Sequence, residues 1–363
     1  LFQEQVVKVA RDLAGFTGGQ GEGLRRALGS KRAYEALDRW HTAFLDGAGR
    51  SRVDQRLADA VFDTLRAFGG YSFPKSHAAA FAVLVYQSAW LKHYHPAAFY
   101  TALLNHQPMG FWSPAAIVND AKRHGIRVLP VDVNASAARC TVEAGTIRLG
   151  LNQVTGFGDV ASERVVTVRQ SGAFQSLADV GRRTQLPPRL LENLILAGGM
   201  DAWGKTRRSL VWELGKLDYR PDTLPLDLPE DRLNLPPVSL LDVMGLEYEL
   251  LGLSLRDHVM TLYRAQLRER GVLGSRDLDR CQDGDAVTVA GQILVHQAPP
   301  TAKGHHFITL EDEDGFINII VRPDEYAQYR RVLRESPLQI IEGTLQRSRG
   351  VLNVIAGSAA ALR

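Results

Sequence analysis

Cysteine is scarce: Cys140 and Cys281 are the only two in 363 residues, and neither has a second Cys or a His at ligand spacing. That excludes a disulfide framework and a structural zinc site, and it fits a reducing cytoplasm. Long apolar runs are missing too. The longest, Ala78 to Tyr86, has nine residues, against the roughly 20 that a membrane-spanning helix needs. No signal peptide is expected here, because Leu1 to Ala14 reads as helix without a basic region, an apolar stretch and a cleavage site. With Leu rather than Met in first place, the chain is expected to begin inside a larger protein. Neither sign of charge is in excess, with 43 Lys and Arg against 40 Asp and Glu. There is no solenoid-period repeat. What is present, 45% hydrophobic and 23% charged residues, is the composition of an ordinary folded protein, and 363 residues suggest two or three domains.

Charge becomes informative once localised. Between residues 182 and 208, Arg182, Arg183, Arg189, Lys205, Arg207 and Arg208 face only Glu192 and Asp201, whereas residues 216 to 260 carry four basic residues against nine acids. The reversal marks a boundary. Pro221, Pro225, Pro229, Pro236 and Pro237 fall in the acidic stretch, and that density prevents a continuous helix. An acidic, proline-rich linker is therefore placed at 217–240. Upstream, apolar residues at three- and four-residue spacing predict helices over Leu1 to Leu13, Leu24 to Leu45, Val53 to Phe68 and Ser76 to Asn105, the last kinked at Pro96. Val131 to Val133 and Thr146 to Leu151 suggest one small hairpin. From Ala286 the pattern alternates, giving five strands near 287–293, 306–310, 316–321, 338–345 and 351–355, with a helix at 323–334. The fold class is thus multidomain α+β, ending in a five-stranded Greek-key barrel of the OB type.

Three segments could carry chemistry. Gly156-Phe157-Gly158-Asp159-Val160 precedes an amphipathic helix, and two glycines around one apolar residue allow a tight turn whose N–H groups face a phosphate. This is a helix-hairpin-helix signature. Leu196 to Gly204, followed by Lys205, Arg207 and Arg208, looks like a second, degenerate copy, and paired copies contact duplex backbone. In the barrel, Thr301, Lys303 and Phe307 lie between the first two strands, with Arg322, Arg347 and Arg349 at strand ends, a set suited to tracking and stacking a single strand. The bland alternative is a solvated rim with Phe307 in the core, which is preferred for Phe307 taken alone. His305 and His306 read as an exposed turn rather than metal ligands, and Asp312, Glu313 and Asp314 as a charged hairpin turn before Gly315.

The third segment is the most specific: Gly70-Tyr71-Ser72-Phe73-Pro74-Lys75-Ser76-His77-Ala78-Ala79-Ala80-Phe81, continuing through Tyr86-Gln87 and Trp90-Leu91-Lys92 to Pro96 and Phe99. Ser76 can cap the helix, and Lys75 adds a cation near its N–H groups. On composition alone it reads as an N-capped core helix. The segment resembles the fingers of the bacterial C-family DNA polymerases, the polymerase III alpha-subunit type, in which a Lys-Ser-His-Ala motif heads this helix. Leu1-Phe2-Gln3-Glu4-Gln5, Ala14-Gly15-Phe16 and Leu24-Arg25-Arg26-Ala27 resemble the preceding fingers motifs. The resemblance is collinear over nearly the whole chain. It is closest to the error-prone, damage-inducible branch through Asn105-His106-Gln107-Pro108-Met109-Gly110-Phe111-Trp112-Ser113-Pro114, Val128-Leu129-Pro130-Val131-Asp132-Val133-Asn134 and the Thr301-Ala302-Lys303-Gly304 loop.

The resemblance implies all-α fingers at 1–130, a short β connection at 131–150, tandem helix-hairpin-helix motifs at 151–216, a helical connection at 241–285 and the OB barrel at 286–363. It implies that Arg25, Arg26, Lys75 and Ser76 approach the triphosphate of an incoming dNTP and that His77 stands by its sugar. Gly156 to Val160 would hold primer–template duplex, and the barrel would meet single-stranded template. The carboxylates that hold Mg²⁺ belong to the family's palm, in an N-terminal portion that this chain lacks, so no catalytic or metal residue is expected in the chain, and by itself it should not polymerise. Thr223-Leu224-Pro225-Leu226-Asp227 stands where the family has a sliding-clamp peptide, but it lacks the Gln and the aromatic anchor. Recruitment through an accessory translesion protein is therefore expected. Two other readings compete: a non-enzymatic DNA-binding scaffold, and a barrel for structured RNA. The basic fingers residues speak against the first, and only fold analogy supports the second.

Overall fold

The computed structural model describes residues 2–28, 34–69, 74–219, 236, 238–348 and 350–362. The linker expected at 217–240 and its clamp-peptide position therefore fall largely outside the described residues. The chain divides into two compact units, Leu1–His93 and Tyr94–Arg363.

The first unit is helical: α1 (Gln3–Ala14), α2 (Gly18–Leu28), α3 (Tyr34–Arg50), α4 (Gln55–Gly69) and α5 (Lys75–Tyr94). Val6, Ala10 and Ala14 recur once per turn of α1 and meet Leu24, Phe44 and Phe62 in the core. Gly47 sits where a Cβ would lie 2.1 Å from the carbonyl oxygen of Ala14, so α3 can cross the end of α1 only as glycine. The helix expected over Leu24 to Leu45 is two helices. Its first part begins at Gly18, because α2 gains more from packing Gly21 against Val7 and Gly23 against Trp40 than glycine loses in helix propensity. The core-helix reading of the Lys75 segment is not met. α5 buries no residue, although Phe81, Val83, Leu84, Val85, Tyr86 and Trp90 lie on it. Ser76 does not cap it either: the helix starts at Lys75, and the Ser76 hydroxyl donates to Glu4.

The second unit opens with α6 (Pro96–Asn105) and α7 (Pro114–Arg123), each with proline at its first position, where the missing N–H costs nothing. Ser113 caps α7 by accepting from Ala116 N. Strands β1 (Val128–Leu129), β2 (Thr141–Glu143) and β3 (Thr146–Arg148) form a small sheet in the order β1-β3-β2. The hairpin that forms joins β2 to β3, so of the two expected strands only Thr146 to Leu151 contributes one. Val131 and Val133 are core residues on a loop rather than a strand, and the Val133 N–H bonds Gly199 O. Then come α8 (Asp159–Arg169), α9 (Leu177–Thr184), α10 (Pro188–Leu196), α11 (Arg207–Lys216), α12 (Leu240–Leu251) and α13 (Val259–Glu269).

The barrel consists of β4 (Ala286–Gln297), β5 (His306–Glu311), β6 (Phe316–Val321), β7 (Leu338–Ser348) and β8 (Val351–Ala361), with α14 (Pro323–Glu335) between β6 and β7. It closes in the order β4-β5-β6-β8-β7, as expected for an OB fold. The fifth strand runs well past Ile355. Ala356, Ala359, Ala360 and Ala361 are strand despite weak strand propensity, held extended by their ladder to Gln339–Gly343 of β7.

α7 joins the barrel to the rest of this unit. Asn119 Nδ2 (3.2 Å) and Arg123 NH1 (2.8 Å) both donate to the buried carboxylate of Glu311 on β5. Lys122 Nζ reaches the carbonyls of Ser254 (3.1 Å) and Arg256 (2.6 Å), and Tyr100 on α6 donates to Asp120 at 2.6 Å. Removing one partner of a buried pair strands the other. Glu311→Leu is therefore expected to destabilise the second unit by about 3 kcal/mol in urea unfolding, and the double change Arg123→Met with Glu311→Leu to recover most of that loss. An unchanged urea midpoint in the single variant would show that the pair holds nothing.

Candidate nucleic-acid interface

The first hairpin is Thr155-Gly156-Phe157-Gly158, between a 3₁₀ turn at Leu151–Gln153 and α8. Gly156 has φ of +88°, and a Cβ there would meet Leu190 Cδ2 at 2.9 Å, so both conformation and space demand glycine. Phe157 is 3% exposed and pins the turn into the core. Asn193 Nδ2 donates to Thr155 O (2.8 Å) and Thr155 N to Leu250 O (2.7 Å), which ties the turn to α10 and α12. Val160 is 86% exposed, and Asp159 pairs with Arg139 at 3.2 Å. First-turn N–H groups have no intrahelical acceptor, so this end of α8 offers backbone donors and a positive dipole end to an anion.

The second hairpin divides its basic residues. Arg207 turns inward: it donates to Asp201 Oδ2 (2.8 Å) and Leu196 O (2.7 Å), lies 3.5 Å from Glu247 and packs over Gly198. Its guanidinium builds the hairpin. Arg208 is exposed and donates to Pro236 O at 3.0 Å, and Lys205 forms an ion pair with Glu213 at 3.2 Å. Thr206 caps α11 by accepting from Ser209 N, which fixes the direction in which these side chains leave the helix.

In the barrel, Thr301 and Lys303 are exposed in the β4–β5 loop, Lys303 with φ of +50°. Phe307 is on the outer face, 39% exposed, contrary to the core reading. His306 is not in a free turn: it begins β5, stacks on Tyr326 at 3.4 Å and hydrogen-bonds His296 at 2.9 Å. Burial pushes both His296 and His306 below the usual imidazole range. Arg322 is exposed at the start of α14, whereas Arg347 donates to the carbonyls of Asp279 (3.0 Å) and Cys281 (3.1 Å) and braces the turn beneath the barrel. Arg349 lies outside the described residues. Asp312 is a hairpin residue as expected, but it is fully buried, accepting from Ser275 N and Oγ at 2.6 Å each and facing Arg264.

In the first unit, Arg25 and the head of α5 meet consecutive residues of α1. Arg25 donates to Gln3 Oε1 (2.8 Å) and Glu22 Oε1 (2.6 Å), while Lys75 N (3.1 Å) and Ser76 Oγ (3.3 Å) donate to Glu4. Lys75 Nζ lies 5.7 Å from the Phe2 ring, and His77 is 4.5 Å from Phe81. Arg26 is 74% exposed and reaches Glu22 at 3.4 Å. Hydrogen bonding to Arg25 holds the Glu22 carboxyl at about 2, and backbone N–H groups, its own and that of Lys75, hold Glu4 below the usual carboxylate range.

Residues 1–52 match the finger domain of the bacterial DNA polymerase III alpha subunit, residues 125–210 a helix-hairpin-helix motif, and residues 287–360 an OB-fold nucleic acid binding domain. Over its full length the chain is 39% identical to the error-prone DNA polymerase of Anaeromyxobacter sp. (strain K), and over 98% of its length 40% identical to that of Mycobacterium tuberculosis. The chain belongs to the bacterial C-family DNA polymerases. It spans about a third of the length of the curated relatives it matches, 33% in both cases. Asparaginyl-tRNA synthetase from Pyrococcus horikoshii is 18% identical over 25% of this chain and 23% of its own, with a TM-score of 0.21, a likeness that carries no argument.

The family's chemistry implies Mg²⁺, yet the residues here do not fit it. Among the described residues no three His, Cys, Asp or Glu side chains converge on a cation site, and Asp312 is spent on Ser275 and its own turn. The roles of Glu4, Glu22 and Asn193 were missed in the sequence, because each acts through a neighbour brought in by tertiary packing. A depressed carboxylate favours its ionised form above its ordinary value of 4.5 and loses that advantage as pH falls through about 2. The Glu22–Arg25 pair should therefore persist down to about pH 2, with carbon-detected NMR placing the Glu22 midpoint there and Arg25→Ala returning it towards 4.5. A midpoint near 4.5 in the unmodified chain would show that the pair does not form.

Proposed function

We propose that this chain is the C-terminal part of an error-prone, translesion DNA polymerase, holding the incoming dNTP, the primer–template duplex and the single-stranded template while the rest of the polymerase supplies the palm and its Mg²⁺. The observation that carries this reading is the succession, in one chain, of a finger block, two glycine hairpins and a closed OB barrel, collinear with error-prone polymerases. In it, Arg25, Arg26, Lys75 and Ser76 supply cations and donors for a triphosphate, guanidinium groups being suited to phosphate oxygens, and His77 stands by the sugar. Gly156, Gly158, Asp159 and Val160 grip duplex backbone through N–H groups, with Phe157 as the plug that shapes the turn. Lys205 and Arg208 add charge, and Arg207 holds their hairpin in place. Thr301, Lys303, Phe307, Arg322 and Arg349 meet the single strand, and Arg347 supports them from below. α5 supports membership in a larger body, because a helix apolar all round is one built for burial. The reaction belongs in the cytoplasm, with recruitment by an accessory translesion protein.

The test is binding of the chain to a primer–template junction, blunt duplex and single strand, beside a primer-extension assay with Mg²⁺ and deoxynucleotides. Expected is a preference for the junction, falling steeply with salt because the contacts are to phosphate, and no extension. Lys205→Ala with Arg208→Ala should weaken duplex binding about tenfold at low salt. Extension by the chain alone, or equal affinity for all three DNAs, overturns the proposal.

A further inference from the structure

A cavity of about 530 Å³ opens between the start of β6, the turn at 312–315 and the segment around Arg276. Phe316 forms one wall, 40% exposed. The guanidinium of Arg123 lies 4.6 Å from its ring, and the ring of Trp112, itself 46% exposed, stands 6.0 Å away at 45°. Along the rim are Arg276, Asp279, Asp314 and Asn318, all exposed. Phe316 and Asn318 are two apart on β6, so they share a face, and their β5 partners there are Glu311 and Thr309. Phe307 is on that same face at the other end of β5, about 13 Å from Glu311 at strand rise. The outer sheet therefore has an aromatic at each end and polar side chains between.

We propose that this cavity receives one unpaired base of a single-stranded DNA lying along the β5–β6 face, stacked on Phe316 with Trp112 at its edge, and with Arg276 taking the adjacent phosphate. It rests on the barrel's reading as the single-strand module. The occupant follows from the chemistry. Phe316 gives the cavity one flat aromatic wall, with Trp112 packed beside it, which suits a heteroaromatic ring, and a carboxylate rim repels a phosphate from the pocket itself. Asp279 and Asp314 can only accept, so the edge they take is one that donates, best the exposed amino group of cytosine, adenine or guanine. Thymine offers only its N3–H, set between two carbonyl oxygens that repel a carboxylate, and is the poorer ligand.

The experiment is fluorescence anisotropy of the whole chain with labelled dC12 and dT12, comparing Phe316→Ala, Trp112→Ala, Asp314→Asn and Phe307→Ala, each checked for folding by circular dichroism. Expected is tighter binding of dC12 than of dT12, a loss of about tenfold for dC12 in Phe316→Ala and Trp112→Ala, and removal of the dC12 preference in Asp314→Asn. Cross-linking of an iodocytosine oligonucleotide should place the adduct on Phe316 or Trp112. If Phe307→Ala weakens binding while Phe316→Ala and Trp112→Ala do not, the pocket falls and the barrel's role stands. If the chain binds neither oligonucleotide, both fall.

Discussion

The second unit depends on one buried carboxylate. Glu311 is on the outer side of the barrel wall and would be intolerable there alone, since an ion removed from water needs its charge answered. Asn119 and Arg123 answer it from α7, and the same helix uses Lys122 to hold the carbonyls of Ser254 and Arg256. Four successive or near-successive residues, Asn119, Asp120, Lys122 and Arg123, therefore reach three different neighbours. Hydrophobic contact alone would let a barrel slide over a helix. Directed hydrogen bonds to a buried charge do not, and so the β5–β6 face keeps a fixed bearing on α7.

Much of this could be read in the sequence. Period-3.6 spacing located α1, α4 and α6, and alternation located all five barrel strands, because in those segments a single face is buried and the pattern records it. The reading failed where packing overrides local preference. Gly21 and Gly23 are helical with Val7 and Trp40 packed against them, and Ala356 to Ala361 is a strand because it pairs along β7. Val131 and Val133 are β-branched yet sit on a loop, filling the core while Val133 bonds Gly199 and Arg169.

The candidate site was legible as a set of residue types but not as directions. Arg207 and Arg208 are identical in chemistry and adjacent, yet the first turns in to Asp201 and Leu196 O while the second stays exposed beside Pro236 O. Arg347 has the composition of a DNA contact but is taken up by backbone carbonyls of the turn below it. Phe307 shows the reverse: judged by type it belongs inside, and strand register turns it out.

Glu4 has a consequence of its own. Its carboxylate already rests on the N–H of Lys75 and the hydroxyl of Ser76, at the positive end of α5. An anion arriving there does not fill a vacant place; it evicts one. Its capture is an ion exchange, in which the negative charge gained at the helix end is partly offset by the charge released, and the strength of the grip is set by the difference between two anions rather than by either alone.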